Sequence, residues 1–311
     1  MRTYSTFEGG PVYADLNIGE SLRIPTSPEA SGELRLLDIG YQGPVGKPGR
    51  AELGWVRVKV GEQEADIPLG WWRMLGGVRV AAEINTAYNT DPSRKEWEHR
   101  YWRLEHDGRL ALSDASRPLA PSGQYAFPIV SDAWSWGYTH NWLTKYSGAP
   151  GLSPTHEGVD LDCPVGVATV RAAVGGEIVY VGGYKEADEI GSEGIVVSIV
   201  GDDGLGYLYA HMLRLETEIA EGAHVETRQA LGPSGISGAE SINITPHLHF
   251  EIIWGESREA LLHALRPPWL DESYATLAFR VNPLPYLYQW FEEYLASEDD
   301  LMGCQAEDSL Q

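Results

Sequence analysis

The sequence lacks any long hydrophobic run and is poor in cysteine. No window approaches the 18 apolar residues of a membrane-spanning helix, so we expect none. The first residues, 1–8, also lack the apolar core of a signal peptide. The two cysteines, Cys163 and Cys304, are too few for a disulfide framework. We expect no bond between them, because Cys304 belongs to a polar tail.

Positive charge is scarce, above all in the second half of the chain. The 311 residues include 23 Lys and Arg against 45 Asp and Glu, a net charge of −22. Residues 1–126 contain 15 basic and 17 acidic side chains, whereas residues 127–311 contain 8 and 28. Such a field disfavours nucleic acids and anionic membrane surfaces, so we expect neither as a partner. Residues 296–311 are predicted to be a disordered acidic tail.

Glycine and short apolar stretches are abundant and indicate a mainly β protein. There are 35 glycines, and 43% of the residues are hydrophobic. The first part of the chain contains five predicted strands, which are Glu33–Ile39, Trp55–Val60, Ala65–Leu69, Val78–Ile84 and Tyr101–Leu112. A turn at 61–64 separates the second of these from the third. Regular short strands of this kind favour a sandwich-like domain over residues 1–120. A proline- and serine-rich join at 117–123 ends it.

Aromatic residues and two helical stretches mark other parts of the chain. A sugar-stacking platform could be formed by four tryptophans of the first domain, Trp71, Trp72, Trp97 and Trp102. Packing is the preferred role, because large aromatic side chains are mostly buried. An aromatic loop at 134–142 could wall a groove. Helices are predicted at 256–265 and 286–295. The stretch 184–194 is predicted to be an acidic inserted loop.

The segment Pro246–Ile252, Pro-His-Leu-His-Phe-Glu-Ile, is the most informative in the chain. Its apolar continuation predicts a strand, in which His247 and His249 project from the same face. Two adjacent imidazoles pack poorly in a core. They are explained if one binds a metal ion and the other handles protons or developing charge.

A second motif, His-Glu-Gly-Val-Asp, lies about ninety residues upstream and supplies His156 and Asp160. Two histidines and one carboxylate leave a fourth position open for water, which is typical of catalytic zinc. Between the two motifs, a predicted strand ends in His211. Each residue alone has a simpler explanation: a surface histidine, a turn carboxylate, a satisfied core histidine or a half-exposed strand. Asp162 and Cys163 are further possible ligands, for which we favour structural roles.

Taken together, these motifs resemble the lysostaphin/LytM-type zinc endopeptidases, which cut the peptide part of bacterial peptidoglycan. The resemblance covers about residues 127–286. It rests on three segments in the family's order, which are His156 with Asp160, Tyr209-Ala210-His211-Met212, and His247-Leu248-His249-Phe250-Glu251. A His-Glu-x-x-His motif is absent, as in that family. The stretch 235–245 is longer and less glycine-rich than the corresponding segment of the family.

The resemblance implies an antiparallel, duplicated-hybrid-motif-like β domain at 124–295 with short C-terminal helices. It makes His156, Asp160 and His249 ligands of Zn²⁺, and His211 and His247 catalytic residues. The implied activity is hydrolysis of peptidoglycan peptides outside the cytoplasm, so that a signal has been removed or another export route is used. The alternatives are a non-catalytic regulator or scaffold of cell-wall hydrolysis, and a metallopeptidase acting on glycine-rich proteins. Oligomeric state is left open.

Overall fold

The computed structural model describes residues 2–3, 11–27, 30–41, 54–87, 104, 106–114, 119, 125–131, 135–136, 158–182, 194–238, 245–266 and 277–294. These residues are mainly β and form four sheets, which confirms the predicted fold class. No helix in the described part of the chain is long and apolar enough to cross a membrane.

Two sheets are built from the first part of the chain. Their strands are β1 (Arg2–Thr3), β2 (Val12–Leu16), β3 (Ser21–Ser27), β4 (Ala30–Tyr41), β5 (Gly54–Val60), β6 (Gln63–Pro68), β7 (Trp72–Leu75), β8 (Val78–Asn85) and β9 (Gly108–Asp114). One sheet has the order β1-β3-β4-β5-β6 and the other the order β2-β9-β8-β7. Side chains of both sheets belong to one hydrophobic core. Alternate residues of β5 are buried, as its period-two pattern predicts.

Three of the predicted strands are present in full, and two others begin at a different residue. Strands β4, β5 and β8 contain the predicted segments. The turn after β5 is shorter than predicted, because Gln63 and Glu64 already belong to β6 and pair with Val60 and Lys59. Within the described part of the predicted strand at 101–112, the strand begins at Gly108. Residues 101–103 and the tryptophans Trp97 and Trp102 lie outside the described residues.

The second part of the chain forms the other two sheets. Its strands are β10 (Ile129–Val130), β11 (Ser135–Trp136), β12 (Val159–Asp162), β13 (Thr169–Arg171), β14 (Gly176–Gly182), β15 (Ile195–Gly201), β16 (Gly206–Met212), β17 (His224–Val225), β18 (Ala230–Pro233), β19 (His247–Gly255) and β20 (Ala278–Val281). The small sheet has the order β10-β13-β18. The large sheet has the order β11-β12-β19-β16-β15-β14-β17, with β20 also paired to β19.

Strand β19 lies inside the large sheet and has different neighbours along its two edges. Along one edge it pairs with β16. Along the other edge it pairs first with β12, through residues 247–250, and then with β20, through residues 252–255. All three pairings are antiparallel. Short strands β12 and β20 therefore follow one another along the same edge of β19.

Two helices complete the described second part. Helix α1, Arg258–Ala264, begins at Ser257, whose side chain accepts a hydrogen bond from the Ala260 N–H. Helix α2 covers residues 284–294 and buries Leu287 and Trp290 in the core. Both helices lie within a residue or two of their predicted ranges. The predicted loops at 134–142 and 184–194 lie largely, and the tail at 296–311 wholly, outside the described residues.

The sheet β2-β9-β8-β7 packs against the region of β20 and α2 through polar and aromatic contacts. The Asn282 N–H donates to Glu83 Oε2 at 2.7 Å, and the Arg79 guanidinium donates to Gln289 Oε1 at 2.5 Å. Trp71 stacks on the ring of Tyr288 at 4.9 Å between centroids. Hydrogen bonds and stacked rings thus join the two parts of the chain. The domain bounds at residues 120 and 124 stay predictions.

Candidate active site

Four of the five predicted site residues come together on one region of the large sheet. His247 and His249 alternate along β19 and share a face. Asp160 on β12 is the register partner of His249. His211 lies near the end of β16, and its ring centroid is 4.6 Å from that of His247. The fifth residue, His156, lies outside the described residues.

Asp160 and His249 face each other across adjacent strands. Oδ1 of Asp160 lies 3.1 Å from Nδ1 of His249 and 3.6 Å from Nε2 of His247. All three side chains are buried. One carboxylate oxygen and two imidazole nitrogens thus converge on one small buried volume.

His211 reaches this volume through an irregularity in its strand. Ala210 is the register partner of His249, so in a regular strand the next residue, His211, would point to the opposite face. His211 instead has a φ of 65°, in the left-handed region, and the pairing of β15 with β16 shifts register between Ile195 and Val197. A β-bulge can redirect a side chain in this way. The bulge brings the His211 ring beside His247.

Backbone carbonyls fix the tautomers of His211 and His247. Nδ1 of His211 lies 2.9 Å from the Ser237 carbonyl oxygen, and Nδ1 of His247 lies 2.6 Å from that of Thr245. Because a carbonyl only accepts, each Nδ1 carries the proton and donates it. In the neutral rings the lone pair is therefore on Nε2, which is the nitrogen that can take up a proton.

Ser237 also holds the two strands that frame His211. Its hydroxyl donates to the Met212 carbonyl oxygen at 2.6 Å and accepts the Ile195 N–H at 2.9 Å. The same residue therefore fixes the start of β15, the end of β16 and the direction of the His211 ring. Nothing in the sequence pattern indicated this role.

The surroundings of His211 and His249 shift the pKa values of these two histidines in opposite directions. Burial lowers the pKa of His211 to about 3, and the neighbouring His247 and His249 act in the same direction. Burial would also lower the pKa of His249, but its hydrogen bonds with Asp160 and Glu251 raise it to about 10. His211 is therefore a neutral imidazole, whereas the position between His249 and Asp160 attracts positive charge.

Two residues that the sequence analysis did not select complete the surroundings of His249. Nε2 of His249 donates to Glu251 Oε1 at 3.1 Å, and Nε of Arg280 donates to Glu251 Oε2 at 2.7 Å. Burial would raise the pKa of the Glu251 carboxyl, but Arg280 and His249 lower it to about 2. The period-two pattern of β19 could have indicated Glu251, which shares the face of His247 and His249.

Gly158 in the His-Glu-Gly-Val-Asp motif is required by close packing. A Cβ at this position would lie 2.4 Å from the Phe250 carbonyl oxygen and 2.9 Å from Nε2 of His249. No side chain fits there without displacing β19 or the imidazole. The glycine between the two predicted ligands of this motif therefore allows β12 to approach the site.

The two other possible ligands on the same segment have separate surroundings. Asp162 is the register partner of His247, and the Thr245 hydroxyl donates to its Oδ1 at 3.4 Å. Cys163 is buried, and this burial raises the pKa of its thiol to about 11. A thiol with so high a pKa stays protonated near neutral pH, which makes it a poor metal ligand.

The donor set around Asp160 fits a zinc ion. Because Nε2 of His249 donates to Glu251, the Nδ1 atom is the one available to a metal, and it faces a carboxylate oxygen. Within the described ranges no group of three or more His, Cys, Asp and Glu side chains forms a metal site, and His156 falls outside those ranges.

Comparison with known proteins identifies the region that contains the site. Residues 154–260 match the model of peptidase family M23. No curated protein is similar in sequence to the chain.

Similar solved structures include a candidate glycyl-glycine endopeptidase, LytM, from Ruminococcus gnavus, which is 23% identical over 53% of this chain and 59% of its own, with a TM-score of 0.37. Lysostaphin from Staphylococcus simulans is 23% identical over 53% of this chain and 56% of its own, with a TM-score of 0.35. The catalytic domain of a mutant of the prophage-encoded M23 protein EnpA from Enterococcus faecalis is 29% identical over 39% of this chain and 85% of its own, with a TM-score of 0.28. The chain thus spans less than two thirds of the first two proteins.

Proposed function

We propose that the chain, whose residues 154–260 match the model of peptidase family M23, is a zinc-dependent endopeptidase of the lysostaphin/LytM type that hydrolyses peptide bonds of bacterial peptidoglycan. One observation carries the proposal. Asp160 Oδ1 and His249 Nδ1 converge at 3.1 Å, beside two histidines whose Nε2 atoms carry lone pairs. This combination offers metal ligands and proton acceptors in one buried volume.

Asp160 and His249 would hold the zinc together with His156. A bound Zn²⁺ would lower the pKa of a coordinated water to roughly 7 and would polarise the substrate carbonyl. In this assignment Asp160 and His249 come from adjacent strands whose register sets their spacing. The Glu251 carboxylate, which accepts from His249 Nε2, holds the ring in the tautomer that presents Nδ1.

His211 and His247 would supply the proton chemistry. Each ring donates through Nδ1 to a backbone carbonyl, so Nε2 can take the proton of the attacking water. A ring protonated at Nε2 then becomes a donor, which can stabilise the oxyanion that develops on the substrate carbonyl. The low pKa of His211 keeps its ring neutral before the reaction and makes it a weak proton acceptor, so Nε2 of His247 takes the proton of the water in this scheme. The final transfer delivers the proton to the leaving amine.

The substrate assignment and the cellular location follow from the family resemblance. Peptidoglycan lies outside the cytoplasm, so we place the protein there. The acidic surface gives no electrostatic attraction to an anionic cell wall, because the net charge of the chain is −22. Recognition would therefore depend on specific contacts with the substrate near the site.

The test is mass spectrometry of purified muropeptides before and after incubation with the zinc-loaded protein. Hydrolysis adds one water and creates a new amine, so the masses of the products identify the bond that is cut. The zinc-loaded Asp162→Ala variant is a matched control, because it changes a carboxylate on the same strand that is not among the proposed ligands. Intact muropeptides after incubation with a metal-loaded protein would contradict the proposal. A panel of glycine-rich peptides, tested in parallel, separates peptidoglycan from other peptide substrates.

A further inference from the structure

A buried ion pair lies directly behind His249. Glu251 is 6% exposed and Arg280 is 5% exposed, and their side chains are 2.7 Å apart. Removing both charges from water is costly, and the attraction within such a pair often does no more than offset that cost. An apolar pair would fill the same space at no such cost. The pair therefore calls for an explanation beyond stability.

The pair is connected to the proposed zinc position by an unbroken series of contacts. Arg280 Nε donates to Glu251 Oε2, Glu251 Oε1 accepts from His249 Nε2 at 3.1 Å, and His249 Nδ1 lies 3.1 Å from Asp160. Without the carboxylate, the imidazole could protonate Nδ1 instead of Nε2 or rotate about its side-chain bonds. Either change would remove the lone pair from the position that faces Asp160.

We propose that Glu251 and Arg280 are positioning residues that set the affinity of the site for its metal by fixing the tautomer and orientation of His249. The proposal rests on the proposed function. A carboxylate behind a metal-binding histidine strengthens the ligand, and loss of such a partner typically lowers metal affinity about 10- to 100-fold. Arg280 holds the Glu251 carboxylate in place, because its Nε donates to Oε2 at 2.7 Å while Oε1 stays directed at His249.

Arg280 comes from β20, outside the region 154–260 that matches the family model. Phe279, next to Arg280, and Asn282, two residues after it, contact the sheet β2-β9-β8-β7. The Arg109 guanidinium carbon lies 3.7 Å from the ring centroid of Phe279, and the Asn282 N–H donates to Glu83. These contacts hold β20 against that sheet. The sheet would therefore support the proposed metal site indirectly, through the strand that carries Arg280.

The experiment measures zinc affinity of the full chain by competition with a chromophoric chelator. Three variants are compared with the wild type: Glu251→Gln, Arg280→Met and the double variant that combines them. We expect each single variant to bind zinc about 10- to 100-fold more weakly. Arg280→Lys, which keeps the positive charge, should recover part of the loss. The matched control is Arg258→Met, which removes the exposed pair with Glu177 (2.6 Å) and should leave the affinity unchanged.

Thermal unfolding of the metal-free variants separates positioning from stability. Each single variant leaves one buried charge without its partner and should unfold at a lower temperature than the wild type. The double variant removes both charges, so its unfolding temperature should recover while its zinc affinity stays low. Recovery of both properties in the double variant, or unchanged affinity in the folded single variants, would overturn the proposal. A wild-type protein that binds no zinc would instead overturn the proposed function.

The contribution of the sheet β2-β9-β8-β7 to the zinc affinity is tested with Glu83. In Glu83→Ala the Asn282 N–H loses its acceptor, and we expect a several-fold weaker affinity for zinc. Glu83→Gln keeps an acceptor oxygen and should lie closer to the wild type. Equal zinc affinity of the folded Glu83→Ala variant and the wild type would show that the anchoring of β20 does not reach the site.

Discussion

Asp160 and His249 are register partners on neighbouring antiparallel strands, and their facing side-chain atoms lie 3.1 Å apart. The separation in sequence is 89 residues, so only the pairing of β12 with β19 creates this contact. The pair is the minimal core of the proposed zinc site.

The first prediction concerns the ligands. Asp160→Ala and His249→Ala should each lose zinc, because each variant removes one of the donors of the proposed three-ligand set. Asp162→Ala should keep its zinc, since Asp162, two residues after Asp160 on β12, is not among the proposed ligands. Elemental analysis of the purified proteins after dialysis gives the metal content. Full zinc occupancy in both ligand variants would rule out the assignment.

The second prediction concerns the two other histidines. His247→Ala and His211→Ala should retain zinc but lose turnover by at least about a hundredfold, because proton transfer and oxyanion stabilisation are each worth factors of this size. Metal content and turnover are measured on the same preparations. If His247→Ala loses zinc while His249→Ala keeps it, the roles within the pair are reversed; Nε2 of His247, 3.6 Å from Asp160, is near enough for that outcome.

The third prediction concerns Gly158. Gly158→Ala should destabilise the fold by about 1–3 kcal/mol, because the added methyl overlaps the Phe250 carbonyl oxygen and the His249 ring. Its zinc affinity should fall as well. Gly108→Ala is the matched control, since its Cβ would meet nothing nearer than 3.5 Å. Chemical denaturation of both variants checks the result, and equal stability of the two would contradict the packing argument.

The fourth prediction concerns the pH dependence of stability. Burial raises the pKa of the Glu83 carboxyl from its ordinary 4.5 to about 8. The folded protein then keeps a proton that the unfolded chain releases, so this group makes the free energy of unfolding fall as the pH rises from 4.5 to 8. Glu83→Gln should remove that fall and stabilise the protein most above pH 8, by at most about 5 kcal/mol.

Urea unfolding of the wild type and Glu83→Gln at intervals between about pH 5 and 9 checks this. The quantity of interest is the difference between the two free energies, in which other titrating groups largely cancel. Glu177→Gln serves as the control, because it makes the same substitution at a half-exposed carboxylate outside the first two sheets. A constant difference for Glu83→Gln would contradict the prediction.

The sequence predicted the parts of the site that depend on local pattern. A period-two strand places His247 and His249 on one face, and the structure does so. The orientation of His211 was beyond such reasoning, because it depends on a left-handed backbone and a bulge that only the pairing of β15 with β16 defines. Without these features the alternation rule sends His211 to the wrong face of the sheet.

Arg280 shows a second limit of local reasoning. It lies 29 residues from Glu251, and no spacing rule connects the two. One signal was present, since a charged residue inside the apolar strand Ala278-Phe279-Arg280-Val281 is unusual and calls for a buried partner. The identity of that partner required the pairing of β20 with β19. The N-terminal strands β4, β5 and β8 were predictable because alternation alone defines them.

The pairing of β12 with β19 has a consequence for how the protein reaches its native state. If β12 slips by one residue, Leu161 or Val159 faces His249 and the Asp160 side chain turns to the opposite face. Such a misaligned state retains most strand hydrogen bonds but has no complete zinc site. A zinc ion that binds only the native alignment stabilises it by RT ln(1 + [Zn]/Kd) and leaves the misaligned states unchanged. The ion would then select the native alignment of β12 with β19 during folding, before any substrate is present.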